Sequence, residues 1–147
     1  MKVTIPYTPR KQQAFIHKEL DKHRFSVLCC HRRFGKTVML INHLIKCCMM
    51  NKNHQPRFAY IAPTYSQAKK IAWDYLKFYT KGLPNTKYNE TELRCDFFNG
   101  SRITLLSSEN PDSIRGIYLD GVVCDEASQI SRELIDEVIR PALSDRK

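Results

Sequence analysis

One stretch of this chain constrains its fold more than any other, because an apolar run, a short basic loop and an apolar helix follow each other directly. The run is FSVLC at 25–29, the loop is CHRRFGKT, and the helical pattern covers Lys36–Met50. A buried strand, a tight loop and a helix in succession are typical of a βαβ unit. We therefore expect a parallel sheet covered by helices, with functional side chains where its strands end.

The loop matches the phosphate-binding pattern G-x-x-x-x-G-K-[ST] at every position except the first, which is Cys30. Gly35 lets the backbone approach phosphate oxygens, Lys36 carries a charge to the β and γ phosphates, and the Thr37 hydroxyl can bind Mg²⁺. The alternative is a chance G-K-T on a surface turn, which the flanking strand and helix disfavour. The residues predicted to bind ATP here are Cys30, His31, Arg32, Arg33, Phe34, Gly35, Lys36, Thr37 and Val38.

Cys30 is compatible with this loop if its backbone stays in an ordinary region. A left-handed conformation at that position would cost roughly 1–2 kcal/mol for a residue with a Cβ. The sequence leaves both conformations open.

A second apolar run, GVVC at 121–124, ends in Asp125 and Glu126. The carboxyl ends of parallel strands meet at one edge of a sheet, so this acidic pair is expected beside the loop. Asp125 is predicted to hold Mg²⁺, directly or through water, and Glu126 to deprotonate the attacking water. The alternative is a turn whose acids cap the following helix.

The other elements complete an α/β pattern. The predicted helix at 66–79 contains the aromatic residues Trp73, Tyr75 and Phe78. We expect them to belong to the core rather than to a base-stacking platform. The expected fold is a P-loop NTPase, a RecA-like three-layer sandwich with a mainly parallel sheet and an added β-hairpin. The predicted elements are helices at 11–23, 66–79 (N-cap Ser66) and 130–139 (ended by Pro141), a strand at 57–62, and a hairpin at Asn99-Gly100.

Charge and cysteine usage narrow the functional class. The net charge is +9, from 24 basic and 15 acidic residues, which suits a polyanion such as nucleic acid, although a basic surface without a partner is the alternative. The six cysteines lack C-x-x-C spacing, which predicts reduced thiols and no zinc site. Neither a membrane span nor a signal peptide is evident, so we expect an intracellular protein with no membrane partner.

Two smaller signals are compatible with nucleotide chemistry. Gln12 or Gln13, at the start of the first helix, could read adenine with an amide that donates and accepts, or could simply be solvated. Arg115, in the polar loop before the second motif, could be an arginine finger or a surface arginine in a turn.

Four blocks together resemble the N-terminal ATPase part of a tailed-bacteriophage terminase large subunit, the DNA-packaging motor. They are PYTPRKQQ (6–13), HRRFGKTV (31–38), NPDSIRGIYLDGVV (110–123) and CDEAS (124–128). The resemblance implies a loop that begins without glycine and carries an arginine before G-K-T. It implies that Arg32 senses or stabilises the γ-phosphate, that Gln13 reads adenine, and that Arg115 reaches a neighbouring subunit's nucleotide.

The same resemblance implies ATP and Mg²⁺ as cofactors, a catalytic set of Glu126, Arg32 and Arg115, and Thr37 and Asp125 at the metal. Its implied partners are double-stranded DNA, the portal protein, the small terminase subunit and further copies in a ring, in the host cell cytoplasm. Residues 1–147 lack the family's coupling motif and nuclease domain, so we expect the N-terminal portion of the ATPase domain. The alternatives are a helicase-like DNA-dependent ATPase and a truncated nucleotide- and DNA-binding remnant without turnover.

Overall fold

The computed structural model describes residues 2–144, and within that range it contains one five-stranded sheet with the strand order β2-β3-β4-β1-β5. Strand β1 pairs in parallel with β4 on one side and with β5 on the other. Strand β3 pairs antiparallel with both of its neighbours, β2 and β4. This arrangement confirms the mainly parallel sheet with an added hairpin. The strands are β1 (Arg57–Ala62), β2 (Lys87–Asn89), β3 (Arg94–Asp96), β4 (Arg102–Ser107) and β5 (Gly121–Cys124).

Four long helices of the described chain cover the sheet. Helices α1 and α2 comprise Lys11–Lys22 and Lys36–Met50. Helix α3 consists of Tyr65–Gln67, a π-helical stretch Ala68–Trp73 and Asp74–Thr80. Helix α4 consists of Arg132–Leu134, a π-helical stretch Ile135–Ile139 and Arg140–Ser144. Single 3₁₀ turns lie at Pro111–Ser113 and Ala127–Gln129. None of the helices between residues 2 and 144 has the length and apolar character needed to cross a bilayer.

Strand β1 separates two hydrophobic cores because successive side chains of a strand point to opposite faces. Phe58 and Tyr60 pack into the core that contains residues of α2 and α3. Ala59 and Ile61 pack into the core that contains residues of α4. The result is a three-layer α/β arrangement, with helices on both faces of the sheet.

The predicted strand at 25–29 is wrong. No strand is formed between His23 and the loop, and Phe25 and Val27 are 64% and 90% exposed. An apolar run becomes a strand only when its backbone groups pair with a neighbouring strand, and this segment pairs with none of the five described. Composition alone therefore misled the prediction.

Helix boundaries differ from expectation at both ends of α4, which begins at Arg132 rather than at Ile130, and at the start of α3. The N-cap of α3 is Thr64 rather than Ser66: its hydroxyl accepts from the backbone N–H of Gln67, whose side chain accepts from the Thr64 N–H in return. Pro141 does not end α4. The π-helical turn ahead of it, closed by Arg140 N–H to the Ile135 carbonyl, widens the helix where a proline ring would otherwise clash.

The aromatic residues of α3 divide between core and surface. Trp73 is 2% exposed and belongs to the core as predicted, whereas Tyr75 and Phe78 are 39% and 48% exposed. The prediction that all three are core residues is therefore wrong for two of them. Helical spacing identifies residues that share a face, but it does not show that another element covers that face.

Candidate functional site

The two predicted motifs meet in the structure. The Thr37 hydroxyl, in the first turn of α2, donates to Oδ2 of Asp125 at 3.3 Å, although the two residues lie 88 positions apart in sequence. The backbone N–H of Asp125 donates to the Ile61 carbonyl at 2.9 Å, which extends the parallel β1–β5 ladder by one residue beyond the strand. The register of the sheet therefore sets the position of the carboxylate opposite the start of α2.

Tyr60 is a residue of this site that the sequence did not reveal. It lies on β1, is 1% exposed, and its hydroxyl donates to the same Oδ2 of Asp125. Burial and, to a lesser extent, the nearby charge of Asp125 raise the pKa of Tyr60. The phenol therefore remains a hydrogen-bond donor to the carboxylate at neutral pH. In RFAYIA nothing distinguishes this tyrosine from an ordinary core aromatic residue.

The loop turns into α2 at Gly35, which has φ +82° and occupies the N-cap position. The positive φ favours glycine, and a Cβ atom there would lie 2.9 Å from Gln13 Nε2 and 3.1 Å from Arg10 Nη2, so the ends of these two side chains would have to shift. Arg33 also has a positive φ, of 62°, and Cys30 does not. The first position of the loop thus needs no left-handed backbone, which explains how a cysteine is accommodated there.

Residues before and in α1 hold the loop in place. The Phe34 carbonyl accepts from the Arg10 guanidinium and, at 3.1 Å, from the Gln13 amide nitrogen. The Gln13 amide oxygen accepts from the Arg10 backbone N–H at 3.0 Å, and Gln13 is 5% exposed. Both polar atoms of the Gln13 side chain therefore bind protein groups, whereas Gln12 is exposed. The structure gives Gln13 a clear role in positioning the phosphate-loop backbone, and its predicted contact with adenine stays a prediction.

Positive charge is concentrated in the loop. Lys36 Nζ donates across it to the Cys30 carbonyl at 3.2 Å, while His31, Arg32 and Arg33 are exposed. The first N–H groups of α2 add the positive end of a helix dipole at the same point. This combination favours an anion at the loop.

Phe34 is 7% exposed and anchors the loop, with its ring against the edge of His31, and Val38 is half-buried in the first turn of α2.

The other predicted catalytic residues lie in different surroundings. Glu126 has φ 48° and is exposed, and its backbone N–H donates to Asp125 Oδ1 at 3.0 Å, which fixes the second carboxylate oxygen. Arg115 forms an ion pair with Asp112 at 3.6 Å and borders a cavity beside Glu137 of α4. Among residues 2–144, neither a hydrogen bond nor an ion pair joins Arg115 to the loop or to Asp125. The structure thus places Glu126 beside Asp125, whereas the ion pair of Arg115 is with Asp112.

The donor atoms at this site suit a hard cation. A threonine hydroxyl and a carboxylate are the oxygen ligands that Mg²⁺ prefers, and this ion usually takes few protein ligands because it retains waters and binds substrate phosphates. The described residues contain no cluster of three or more His, Cys, Asp or Glu side chains that could hold a metal by themselves. Thr37 and Asp125 therefore fit Mg²⁺ that arrives with a nucleotide rather than a preformed metal centre.

Comparison with solved structures supports the fold. The chain superposes on the ATPase domain of the large terminase of Thermus phage P74-26 with a TM-score of 0.72 and 25% identity, covering 96% of this chain and 62% of that one. The large terminase of a thermophilic bacteriophage gives a TM-score of 0.73 at 18% identity, covering 90% of this chain and 36% of that one. The same large terminase in complex with ATP-gamma-S gives 0.70 at 16% identity, covering 91% and 34%. No curated protein matches the chain.

The chain thus spans less than two thirds of the length of the terminase chains on which it superposes. The family model for the terminase large subunit, T4likevirus-type, N-terminal, matches residues 31–147. That match covers most of the chain and includes both the phosphate-loop motif and the Asp125-Glu126 motif. This chain belongs to the N-terminal family of terminase large subunits.

Proposed function

We propose that this chain binds and hydrolyses ATP as part of the motor that packages phage DNA. The observation that carries the proposal is the hydrogen bond between Thr37 and Asp125, which joins a phosphate-loop motif to a strand-end carboxylate. Such a hydroxyl–carboxylate pair is the arrangement through which P-loop enzymes hold Mg²⁺ next to nucleotide phosphates. Family membership agrees with the same activity.

In this proposal the loop binds the phosphates. Lys36, now bound to the Cys30 carbonyl, turns its ammonium toward the β and γ phosphates, and the first N–H groups of α2 donate to phosphate oxygens. Thr37 and Asp125 hold Mg²⁺, which would neutralise phosphate charge there. Tyr60 keeps the Asp125 carboxylate in place by donating to it.

Hydrolysis requires a base and a positive charge near the γ-phosphate. We assign the base to Glu126, whose exposed carboxylate adjoins Asp125 and can accept a proton from the attacking water. Arg32, exposed in the loop, is proposed to stabilise the charge that develops on the γ-phosphate. Arg115, which pairs with Asp112 and not with the loop, is proposed to serve the nucleotide of a neighbouring subunit.

The wider role is proposed from the family. ATP turnover would drive double-stranded DNA into a procapsid, with the portal protein, the small terminase subunit and further copies of the motor as partners, in the cytoplasm of the host. The net charge of +9 agrees with a polyanionic substrate. The large terminase of the thermophilic bacteriophage forms a complex with ATP-gamma-S. We propose that this chain also binds a nucleoside triphosphate.

Two variants test the proposal in a phosphate-release assay combined with Mg-ATP binding. Lys36→Ala should abolish ATP binding, because it removes the charge that contacts the phosphates. Glu126→Gln should retain ATP binding and lose hydrolysis, because the amide cannot accept the proton. Unchanged affinity in Lys36→Ala would contradict the loop assignment, and persistent turnover in Glu126→Gln would place the base elsewhere.

A second candidate function is nucleotide binding without turnover. It would follow if no arginine reaches the γ-phosphate, and the ion pair that the structure shows for Arg115 is with Asp112, at 3.6 Å. In that case Mg-ATP should stabilise the wild-type protein although no phosphate is released. DNA unwinding with ATP would instead indicate the helicase-like alternative.

A further inference from the structure

Helix α3 has an exposed apolar face that the proposed nucleotide site does not use. Ile71, Tyr75 and Phe78 are 49%, 39% and 48% exposed and follow each other at intervals of four and three residues. Side chains with that spacing lie on one side of a helix. We name these three residues the aromatic stripe. Apolar side chains that are contiguous on a surface are typical of a site that binds another molecule.

The rings of the aromatic stripe pack against neighbouring side chains. Tyr75 stacks on Tyr79 with ring centroids 6.5 Å apart, and the edge of the Phe78 ring meets that of Tyr79 at 5.0 Å. Lys81 Nζ lies 4.6 Å from the centroid of the Phe78 ring. Side chains that are fixed before binding lose little conformational entropy when a partner covers them, so these rings suit the role of anchors.

A groove continues the stripe. Tyr79 contacts the ring of Tyr7 edge-on at 6.0 Å, and Tyr7 lines a cavity of about 340 Å³ between the N-terminal segment, α1 and α2. Pro9, Ala14 and His17 form part of its wall. We name these four residues, Tyr7, Pro9, Ala14 and His17, the N-terminal groove. A concave apolar site beside an apolar stripe can receive one large side chain of a partner while the stripe packs against its neighbours.

Charge around the stripe indicates the chemistry of that partner. Lys70 and Lys81 are exposed on one flank of it, whereas Lys77 on the same flank is already paired with Glu90 at 3.1 Å and with Asp74 at 4.0 Å. A partner with acidic residues beside its apolar face would complement this flank. A second copy of the chain would bring its own net charge of +9, which opposes self-association through this surface.

We propose that the aromatic stripe and the N-terminal groove together bind an acidic amphipathic helix of another polypeptide. Its apolar residues, spaced i, i+3 or i+4 and i+7, pack on the stripe, and one of them enters the groove. A single nucleic-acid strand fits less well, because Ile71 offers no ring on which a base could stack.

Fluorescence anisotropy of a labelled designed peptide tests this proposal. The probe is an amphipathic helix of about three heptads, with leucine at the apolar positions and glutamate on both flanks. The wild-type protein should bind it, and the double variant Tyr75→Ser/Phe78→Ser should bind it at least ~10-fold more weakly. Phe98→Ser is the matched control, because Phe98 is 53% exposed and lies in the β3–β4 hairpin; it should bind like the wild type. Unchanged melting temperatures confirm that the substituted surface residues leave the fold intact.

A peptide with lysine in place of glutamate should bind at least ~10-fold more weakly, because like charges then face each other. Three results would overturn the proposal. The first is the absence of peptide binding to the wild type, or equal binding by the double variant. The second is binding of a labelled oligothymidine strand that is lost in the double variant, while peptide binding is unchanged in that variant. The third is sedimentation that shows self-association of the wild type and its loss in the double variant, which would identify a second copy as the occupant.

Discussion

Substitution of Gly35 by alanine tests whether the loop geometry is fixed by backbone conformation and by contact with α1. With φ +82°, an alanine at this position is expected to cost about 1–2 kcal/mol for the left-handed conformation alone. Its Cβ would also lie 2.9 Å from Gln13 Nε2, which must move and so weaken its hydrogen bond to Phe34, at a cost of about 1 kcal/mol. The expected total is about 2–3 kcal/mol, or a fall in melting temperature of roughly 6–12 °C at this chain length.

Two other glycines separate these contributions. Gly116 has φ +76° with no atom within 4 Å of a built Cβ, so Gly116→Ala should show only the conformational cost, about 1–2 kcal/mol. Gly82 has neither a left-handed φ nor a close neighbour, and Gly82→Ala should be neutral or stabilising by up to about 1 kcal/mol. Thermal melts followed by circular dichroism would give the three values under identical conditions.

The order of the three variants decides the matter. If Gly35→Ala melts at the temperature of Gly82→Ala, neither the positive φ nor the contact with Gln13 constrains the loop. If it melts at the temperature of Gly116→Ala, the left-handed conformation destabilises the protein, but the contact of the new Cβ with Gln13 adds no further cost. A nucleotide titration adds a second readout, since only the Gly35 variant should bind Mg-ATP more weakly, because only Gly35 belongs to the phosphate loop.

Three further predictions follow from single side chains. Tyr60→Phe removes the donor to Asp125, and urea unfolding at neutral pH should show a loss of about 1–2 kcal/mol; an unchanged midpoint would mean that the carboxylate is held by other groups. Burial lowers the pKa of His43 to about 4 from 6.5, so the folded state prefers the neutral ring, and stability present above pH 6.5 should be lost as the pH falls toward 4. At about 1.36 kcal/mol per pH unit, reduced for partial exposure, the loss is roughly 1–2 kcal/mol, and unfolding of His43→Asn should show less of it. Iodoacetamide should alkylate exposed Cys29 long before Cys95, because Cys95 is buried and burial raises the pKa of its thiol to about 12; mass spectrometry that finds Cys95 labelled first would contradict the burial.

Local sequence signals correctly predicted those elements that short stretches of sequence specify by a turn motif or by a regular apolar pattern. Strand β1 was predicted with its observed bounds, and the Asn99-Gly100 turn forms the expected hairpin, with Gly100 at φ +82°. The meeting of the loop with Asp125 was predicted from the rule that parallel strands end at a common edge, and it is observed although the strand predicted before the loop does not form. These predictions needed only the order of residues along the chain.

The failures share a different physical cause. The run at 25–29 has the composition of a strand, but a strand exists only where another backbone offers hydrogen bonds. Pro141 would end an ideal α-helix, but a wider π-helical turn precedes it and removes the clash. In each case the outcome depends on groups that are not neighbours in sequence, or on a backbone adjustment that residue propensities do not encode.

Strand β1 shows why the acidic motif alone does not determine the site. Its Ile61 carbonyl accepts the Asp125 N–H, and its Tyr60 hydroxyl donates to the Asp125 carboxylate, so β1 holds both the backbone and the side chain of Asp125. An apolar strand that ends in an acid places a carboxylate at the sheet edge, but it leaves the rotamer of that carboxylate undefined. The hydroxyls of Tyr60 and Thr37 both donate to Oδ2, and the Glu126 N–H donates to Oδ1, so three groups outside the acidic strand orient the carboxylate. The proposed chemistry therefore depends on β1 as well as β5, although the sequence of β1 contains no recognisable motif.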